Sequence, residues 1–194
     1  MFKELQNMDT LVICIILFLI VIMFLMKNES FNNDLIKTPD GWVVRDLPDK
    51  QVSINKFKLL DSKIKTLINK LVEEYPNDPR VIKLKDRYNP KILSELPGGS
   101  NNTSYSVNKG ERLVICLRNK KDNGFINDNT IFFVVLHELA HIMTNSIGHK
   151  EEFWNNFKFL LKKSIEFKLY KYQDFKKSPE PYCGISITDT PYVI

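Results

Sequence analysis

His137-Glu138-Leu139-Ala140-His141 is the one stretch of this chain whose residue types and spacing spell out a reaction. Side chains four apart on a helix share a face, with Cβ atoms about 5–6 Å apart. Two neutral imidazoles so placed can ligate one Zn²⁺ at about 2.0–2.1 Å. Glu138 lies one position on, about 100° around the helix, where it reaches a metal-bound water more readily than the metal itself. The surrounding residues, Ile131 to Leu136 and Leu139 to Met143, are apolar around nearly the whole circumference. A helix apolar on all sides is buried, and a buried carboxylate and imidazoles are costly unless paired or metal-bound. The plain alternative is a core helix that carries two histidines by coincidence.

The sequence holds three histidines, and the third, His149, follows closely. Asn145, Ser146 and Gly148 are poor helix formers, and Gly is common just past a helix end. The chain can therefore turn and bring His149 back to the first two. Three histidine ligands would leave one coordination position open, as a catalytic zinc site needs. Glu166, on the next expected helix, is the competing third ligand, with His149 then a surface residue.

At these residues the chain resembles the WLM-type zinc peptidases, which are similar in turn to SprT-like proteases. The likeness is carried by H-E-L-A-H, a further histidine, and Phe153-Trp154 beyond it, about 18 residues in all. The gap from His141 to His149 is a couple of residues longer than is usual in WLM domains. The resemblance implies a zincin-like α+β domain, with helices packed on a small mixed sheet and H-E-x-x-H on a buried helix. It also implies Zn²⁺ on His137, His141 and His149, and Glu138 as general base. In such folds an edge strand beside the metal can pair with an extended substrate, by main-chain hydrogen bonds. Arg112 to Arg118, which alternates apolar and polar, is the candidate strand. An internal strand without substrate contact is the other reading.

The elements that must hold these groups follow from periodicity. Phe57, Leu60, Ile64, Leu67, Ile68, Leu71 and Val72 recur at three and four, predicting a helix over Ile54 to Tyr75. Pro76-Asn77-Asp78-Pro79 ends it, and a short helix from Arg80 to Arg87 follows. Tyr88 to Gly110 carries turn residues, with a strand expected at Lys91–Leu96. Asp128 or Asn129 is the expected N-cap of the metal helix. Phe153, Trp154, Phe157, Leu160, Leu161, Ile165 and Leu169 predict a buried stripe on a helix from Lys150 to Tyr170. Tyr182 to Ile187 reads as a last strand.

Ahead of these lies Leu11 to Met26, an uninterrupted apolar run. Its length, about 24 Å as a helix, approaches the hydrocarbon thickness of a thin bilayer. No small-residue cleavage site follows it. The division expected is therefore an N-terminal flank over 1–9, a transmembrane helix over 10–26, a tether over 27–51 in which Trp42-Val43-Val44 can dock, and a catalytic domain over 52–194. Cys14 falls in the apolar run, and Cys116 and Cys183 belong to no C-x-x-C pair. Unpaired cysteines and a lysine-rich body suggest a single-pass membrane protein with its catalytic domain in the cytosol. A single Cys116–Cys183 bridge is the alternative.

A formal charge of +5 over 194 residues permits anionic partners without demanding them. Lys158, Lys162, Lys163, Lys168, Lys171, Lys176 and Lys177 make the last helix and its exit basic. That is a solvated face or, less simply, a surface for nucleic acid or lipid headgroups. Repeats, heptads and glycine-rich phosphate loops are absent from the sequence. The reading that follows is a membrane-anchored zinc metallopeptidase acting on protein substrates, with Tyr105 or Arg112 as candidate oxyanion donors. The competing readings are an inactive zinc-stabilised module that recruits protein or nucleic-acid partners at a membrane, and a metal-dependent hydrolase of some other bond. A purely structural zinc site prefers four protein ligands and has no use for Glu138.

Overall fold

The computed structural model describes residues 12–23 and 34–193, which fall in two compact units, Met1–Asp34 and Leu35–Ile194. In the first, residues 12–23 form helix α1. At 1.5 Å per residue these twelve described residues span about 18 Å, against a hydrocarbon core of about 30 Å. Among the described residues no helix is long and apolar enough to cross a membrane. This overturns the expected single-pass anchor over 10–26 and the localisation built on it; residues 10, 11 and 24–26 of that segment, and 27–33 of the expected tether, lie outside the described residues.

The second unit is an α+β domain built on a five-stranded mixed sheet. Its strands are β1 (Leu35–Lys37), β2 (Val43–Arg45), β3 (Leu93–Glu95), β4 (Tyr105–Val107) and β5 (Arg112–Ile115), in the order β1-β2-β3-β5-β4. β1 pairs antiparallel with β2, β2 and β5 flank β3 in parallel, and β4 closes the sheet antiparallel to β5. Residues 35–45, expected within the tether, are thus part of the sheet, and Trp42 and Val44 are buried in its core. Trp42 packs on Phe57 with ring centroids 6.2 Å apart.

Parallel neighbours need a long crossover. Between β2 and β3 it consists of α2 (Lys50–Glu74) and α3 (Pro79–Arg87). The apolar stripe of α2 from Phe57 to Leu71 is buried as its spacing requires, with Val72 partly so. Asp78 caps α3 by accepting from the Arg80 amide at 2.8 Å, and Pro79 takes the first helical position, where its missing N–H costs nothing.

β5 is internal, with β3 on one side and β4 on the other, so it offers no free edge. The edge strand next to it is β4, from a segment rich in turn residues. Its turn into β5 has Asn108 and Lys109 at φ 45° and 54°, followed by Gly110 at 115°. Two successive left-handed residues match the natural twist of a tight hairpin, and Asn tolerates that conformation better than most side chains.

Helices α4 (Asp128–Met143) and α5 (Glu151–Glu166) complete the core. Asn127 caps α4, accepting from the Asn129 amide at 2.8 Å, one residue before the expected cap. From α5, Phe153, Phe157, Leu160 and Leu161 are buried, and Phe157 meets Phe133 of α4 at 5.1 Å. Trp154, expected in that stripe, is instead 39% exposed. The C-terminal residues form a hairpin, β6 (Glu180–Tyr182) and β7 (Ile185–Ile187), rather than one strand. Cys183 and Gly184 turn it at φ 52° and 83°. A disulfide joins Cys183 to Cys116, just past β5. The two cysteines are therefore paired, which removes the argument for a reducing compartment.

Candidate active site

α4 is apolar on every side that meets the core, so burial of Ile131, Phe132, Val135, Leu136, Leu139, Ala140 and Ile142 sets its rotation. That rotation leaves His137 and His141, one turn apart, half-buried on the open face. α5 supplies their backing. The Phe153 ring lies 4.8 Å from His137, 4.3 Å from His141 and 4.6 Å from His149, and Trp154 lies 5.7 Å from His149. The Phe-Trp pair is thus a wedge against which the imidazoles are aligned.

The loop after α4 returns His149 to the other two histidines. Its Nε2 is 3.1 Å from Nε2 of His137 and 3.2 Å from Nε2 of His141. The ligand atoms of the three histidines all lie within 4.8 Å of one another. Two nitrogens on one tetrahedral zinc, each at about 2.0–2.1 Å, stand about 3.3 Å apart. A hydrogen-bonded trio fits less well, because a neutral imidazole carries one proton, and His149 presents a single nitrogen to two others. The residues therefore suit a metal ion with three nitrogen ligands and an open fourth position. Burial, and then the neighbouring imidazoles, lower the His137 pKa to about 3. Burial, with His149 and Lys109 nearby, lowers that of His141 to about 4. Both rings are therefore neutral at pH 7, the form that binds metal.

Glu138 is 4% exposed. Burial raises its pKa to about 7, with the nearby Ser106 of β4 pulling it the other way. A carboxyl poised near neutrality is suited to exchanging protons.

The loop that carries His149 is held from three directions. The Glu152 carboxylate accepts from the Asn145 and Ser146 amides at 2.8 and 2.9 Å. These amides, with the Ser146 hydroxyl, hold its pKa down at about 2. Lys109, at the tip of the β4–β5 hairpin, donates to the carbonyls of Thr144, Asn145 and Ser146, and Lys83 of α3 donates to the Thr144 carbonyl at 2.9 Å. The buried Asn156 side chain donates to Thr144 Oγ1 at 2.9 Å and accepts from Arg80 at 3.2 Å.

Three adjoining cavities share His137. One of about 530 Å³ runs along Tyr105, Ser106, Glu138, His141 and His149. A second, of about 310 Å³, is walled by Phe133, Tyr182, Ile185 and Ile187. The third, of about 790 Å³, lies over Trp154 and Phe157 and is closed by Thr190, Pro191 and Val193. The metal-ligand cluster therefore sits in a long cleft with one wall on β4 and another on the C-terminal segment.

Of the groups singled out from the sequence, His137, Glu138, His141 and His149 converge here. Glu166 does not: it pairs with Lys163 at 2.7 Å, at the far end of α5. Tyr105 lines the cleft, whereas Arg112 is exposed at the start of β5. Among the basic residues, Lys162, Lys163, Lys176 and Lys177 are in ion pairs with Glu166, Glu74, Asp189 and Asp174. Ser106, Lys109, Glu152 and Tyr182 carried no signal in the sequence, because each acts through a contact distant along the chain or across a loop.

Fold and site together define an α+β domain in which the two histidines of an H-E-x-x-H helix and one of the following loop form a cluster that could hold a metal ion. The chain belongs to the WLM domain family, whose model matches residues 53–190. A protein of Acanthamoeba polyphaga mimivirus is 31% identical over 179 residues, covering 87% of this chain and 89% of the relative. A protein of Invertebrate iridescent virus 6 is 31% identical over 97 residues, 49% of this chain and 53% of its own. Among solved structures, Wss1 from Saccharomyces cerevisiae overlaps 70% of this chain and 96% of its own, with 19% identity and a TM-score of 0.44.

Proposed function

We propose that this chain is a zinc-dependent metallopeptidase of zincin type that hydrolyses protein substrates. The observation that supports this most directly is the convergence of three Nε2 atoms beside a buried carboxylate. His137, His141 and His149 would hold the ion. When bound there, zinc lowers the pKa of a water at its open position to near 7 and polarises the scissile carbonyl. Glu138 takes the proton from the attacking water on a carboxylate oxygen and delivers it to the departing amide nitrogen. β4 is the sheet edge that borders the cleft, so main-chain pairing along β4 is the natural way to seat an extended substrate.

The test is Glu138→Gln in the full chain, with an unfolded, fluorescently labelled protein as substrate. Turnover should fall by roughly 10²–10⁴-fold, while bound zinc, measured by metal analysis, stays at the wild-type level. Full activity in this variant would overturn the mechanism. His149→Ala should lose metal and Glu166→Ala should not.

A further inference from the structure

We infer that the cavity between α4 and the C-terminal hairpin is a specificity pocket, in which Ile185 and Ile187 of β7 select a bulky apolar side chain beside the scissile bond. This rests on the peptidase reading above and adds to it a substrate class and the residues that choose it.

This cavity, of about 310 Å³, and the one along β4 share Thr103, Ser104, His137 and Glu138 in their walls. A chain paired on β4 therefore passes the mouth of the pocket where it meets the base and the first histidine. Its volume is at the small end of ligand pockets, room for one side chain rather than a folded segment. Phe133 and Val134 of α4, one helical turn before His137 and Glu138, form one wall, and Ile185 and Ile187 form the other. Residues two apart on a strand share a face, so the isoleucines stand together. Ile187 is partly buried against the core, whereas Ile185 is 54% exposed.

Polar groups around the pocket are already engaged. Ser104 Oγ lies 2.5 Å from the Tyr182 hydroxyl and accepts from the Cys116 amide at 2.8 Å. Asp189, at the rim, pairs with Lys176 at 3.4 Å. An acidic side chain entering here would find no partner and would face Glu138, at a high desolvation cost. A lysine that paired with Glu138 would occupy the base. An apolar side chain loses only water, which favours its entry. The wall also stands ready before substrate arrives. β6 and β7 form a sheet of their own, and the Cys116–Cys183 bond and the Tyr182–Ser104 contact tie it to the rest of the domain. A preformed wall spares the ligand the cost of ordering it.

The test maps the cuts made by the full, zinc-loaded chain in an unfolded protein, by mass spectrometry. One position flanking the cut should be held by Leu, Ile, Met or Phe. A peptide with Leu there should have a kcat/KM about ten- to hundredfold above the same peptide with Ser or Asp. Binding of these peptides to the Glu138→Gln protein, read by fluorescence anisotropy, should follow the same order. Because Ile185 is largely exposed, Ile185→Lys should keep zinc content and Tm while losing the apolar preference and gaining peptides with Glu at that position. Ile185→Ala should lower kcat/KM for the Leu peptide by about tenfold and leave the Ser peptide unchanged. An active wild type with no apolar preference at either flanking position, one that prefers Lys there, or a preference untouched by Ile185→Lys would overturn the pocket and leave the peptidase reading standing. A wild type that cuts nothing removes the peptidase reading and the pocket with it.

Discussion

Glu152 shows how a residue that touches neither metal nor substrate can govern the site. Its carboxylate closes the loop between α4 and α5 by taking the Asn145 and Ser146 amides, and so sets where His149 stands. Because those bonds hold its folded pKa at about 2, below the ordinary 4.5, their stabilising effect is complete above about pH 4.5. It is lost progressively as pH falls towards 2. Protection of the Asn145 and Ser146 amides, as hydrogen exchange relative to the intrinsic rate at each pH, should therefore hold down to about pH 4.5 and fall below it. At pH 7, Glu152→Gln, which keeps an acceptor but no charge, should weaken zinc binding by about tenfold, as expected for a charge-assisted hydrogen bond. Competition against a chromophoric chelator would measure it.

The β4–β5 hairpin is the element that gathers the site. Ser106 and Glu138 line the same cavity beside its outer edge, and Lys109 at its tip holds the loop that carries His149. The hairpin is itself anchored beneath by Arg118, which is buried. Its guanidinium donates to Glu95 of β3 at 2.9 Å and to both oxygens of Asp49, ahead of α2, at 2.8 Å, and it stacks on Phe125 at 3.9 Å. Glu95, 1% exposed, also accepts from the Arg45 amide of β2 at 2.9 Å. One guanidinium thus joins the strand pair to α2. Arg118→Met would keep the volume but leave Glu95 a buried charge without its partner. Breaking a buried pair on one side costs about 3–5 kcal/mol, so urea unfolding should show a loss of that size.

Across the whole domain, the C-terminal segment returns to wall the cleft, and the Cys116–Cys183 bond ties it to the sheet across 67 residues of sequence. Closing a loop of that length removes roughly 4 kcal/mol of unfolded-state entropy in the chain-entropy model. For a domain of about this size the corresponding fall in Tm is roughly 10 °C. A Cys116→Ser/Cys183→Ser protein should show that drop in a thermal melt, and a dithiol reductant should destabilise the wild type by a similar amount while leaving the double variant unchanged. Tyr182, one residue before the bond and hydrogen-bonded to Ser104, makes the same hairpin part of the floor behind Glu138.

The sequence by itself determined the parts that rest on local geometry. A helix places residues four apart on one face whatever surrounds it, so His137, Glu138 and His141 were legible as a unit. So was the stripe of α2, because apolar spacing and burial are two views of one periodicity. The N-terminal apolar run misled for the converse reason: composition shows that a segment is apolar, but among the described residues no helix is long and apolar enough to cross a bilayer. Tertiary structure alone decided between His149 and Glu166 beside the first two histidines, since that choice depends on a loop tied by Glu152, Lys109 and Lys83. It also decided that β4 rather than β5 forms the open edge, and that Cys116 and Cys183 meet. Strand order and the meeting of two distant thiols are properties of packing between segments far apart in the chain, and no short-range pattern of residues encodes them.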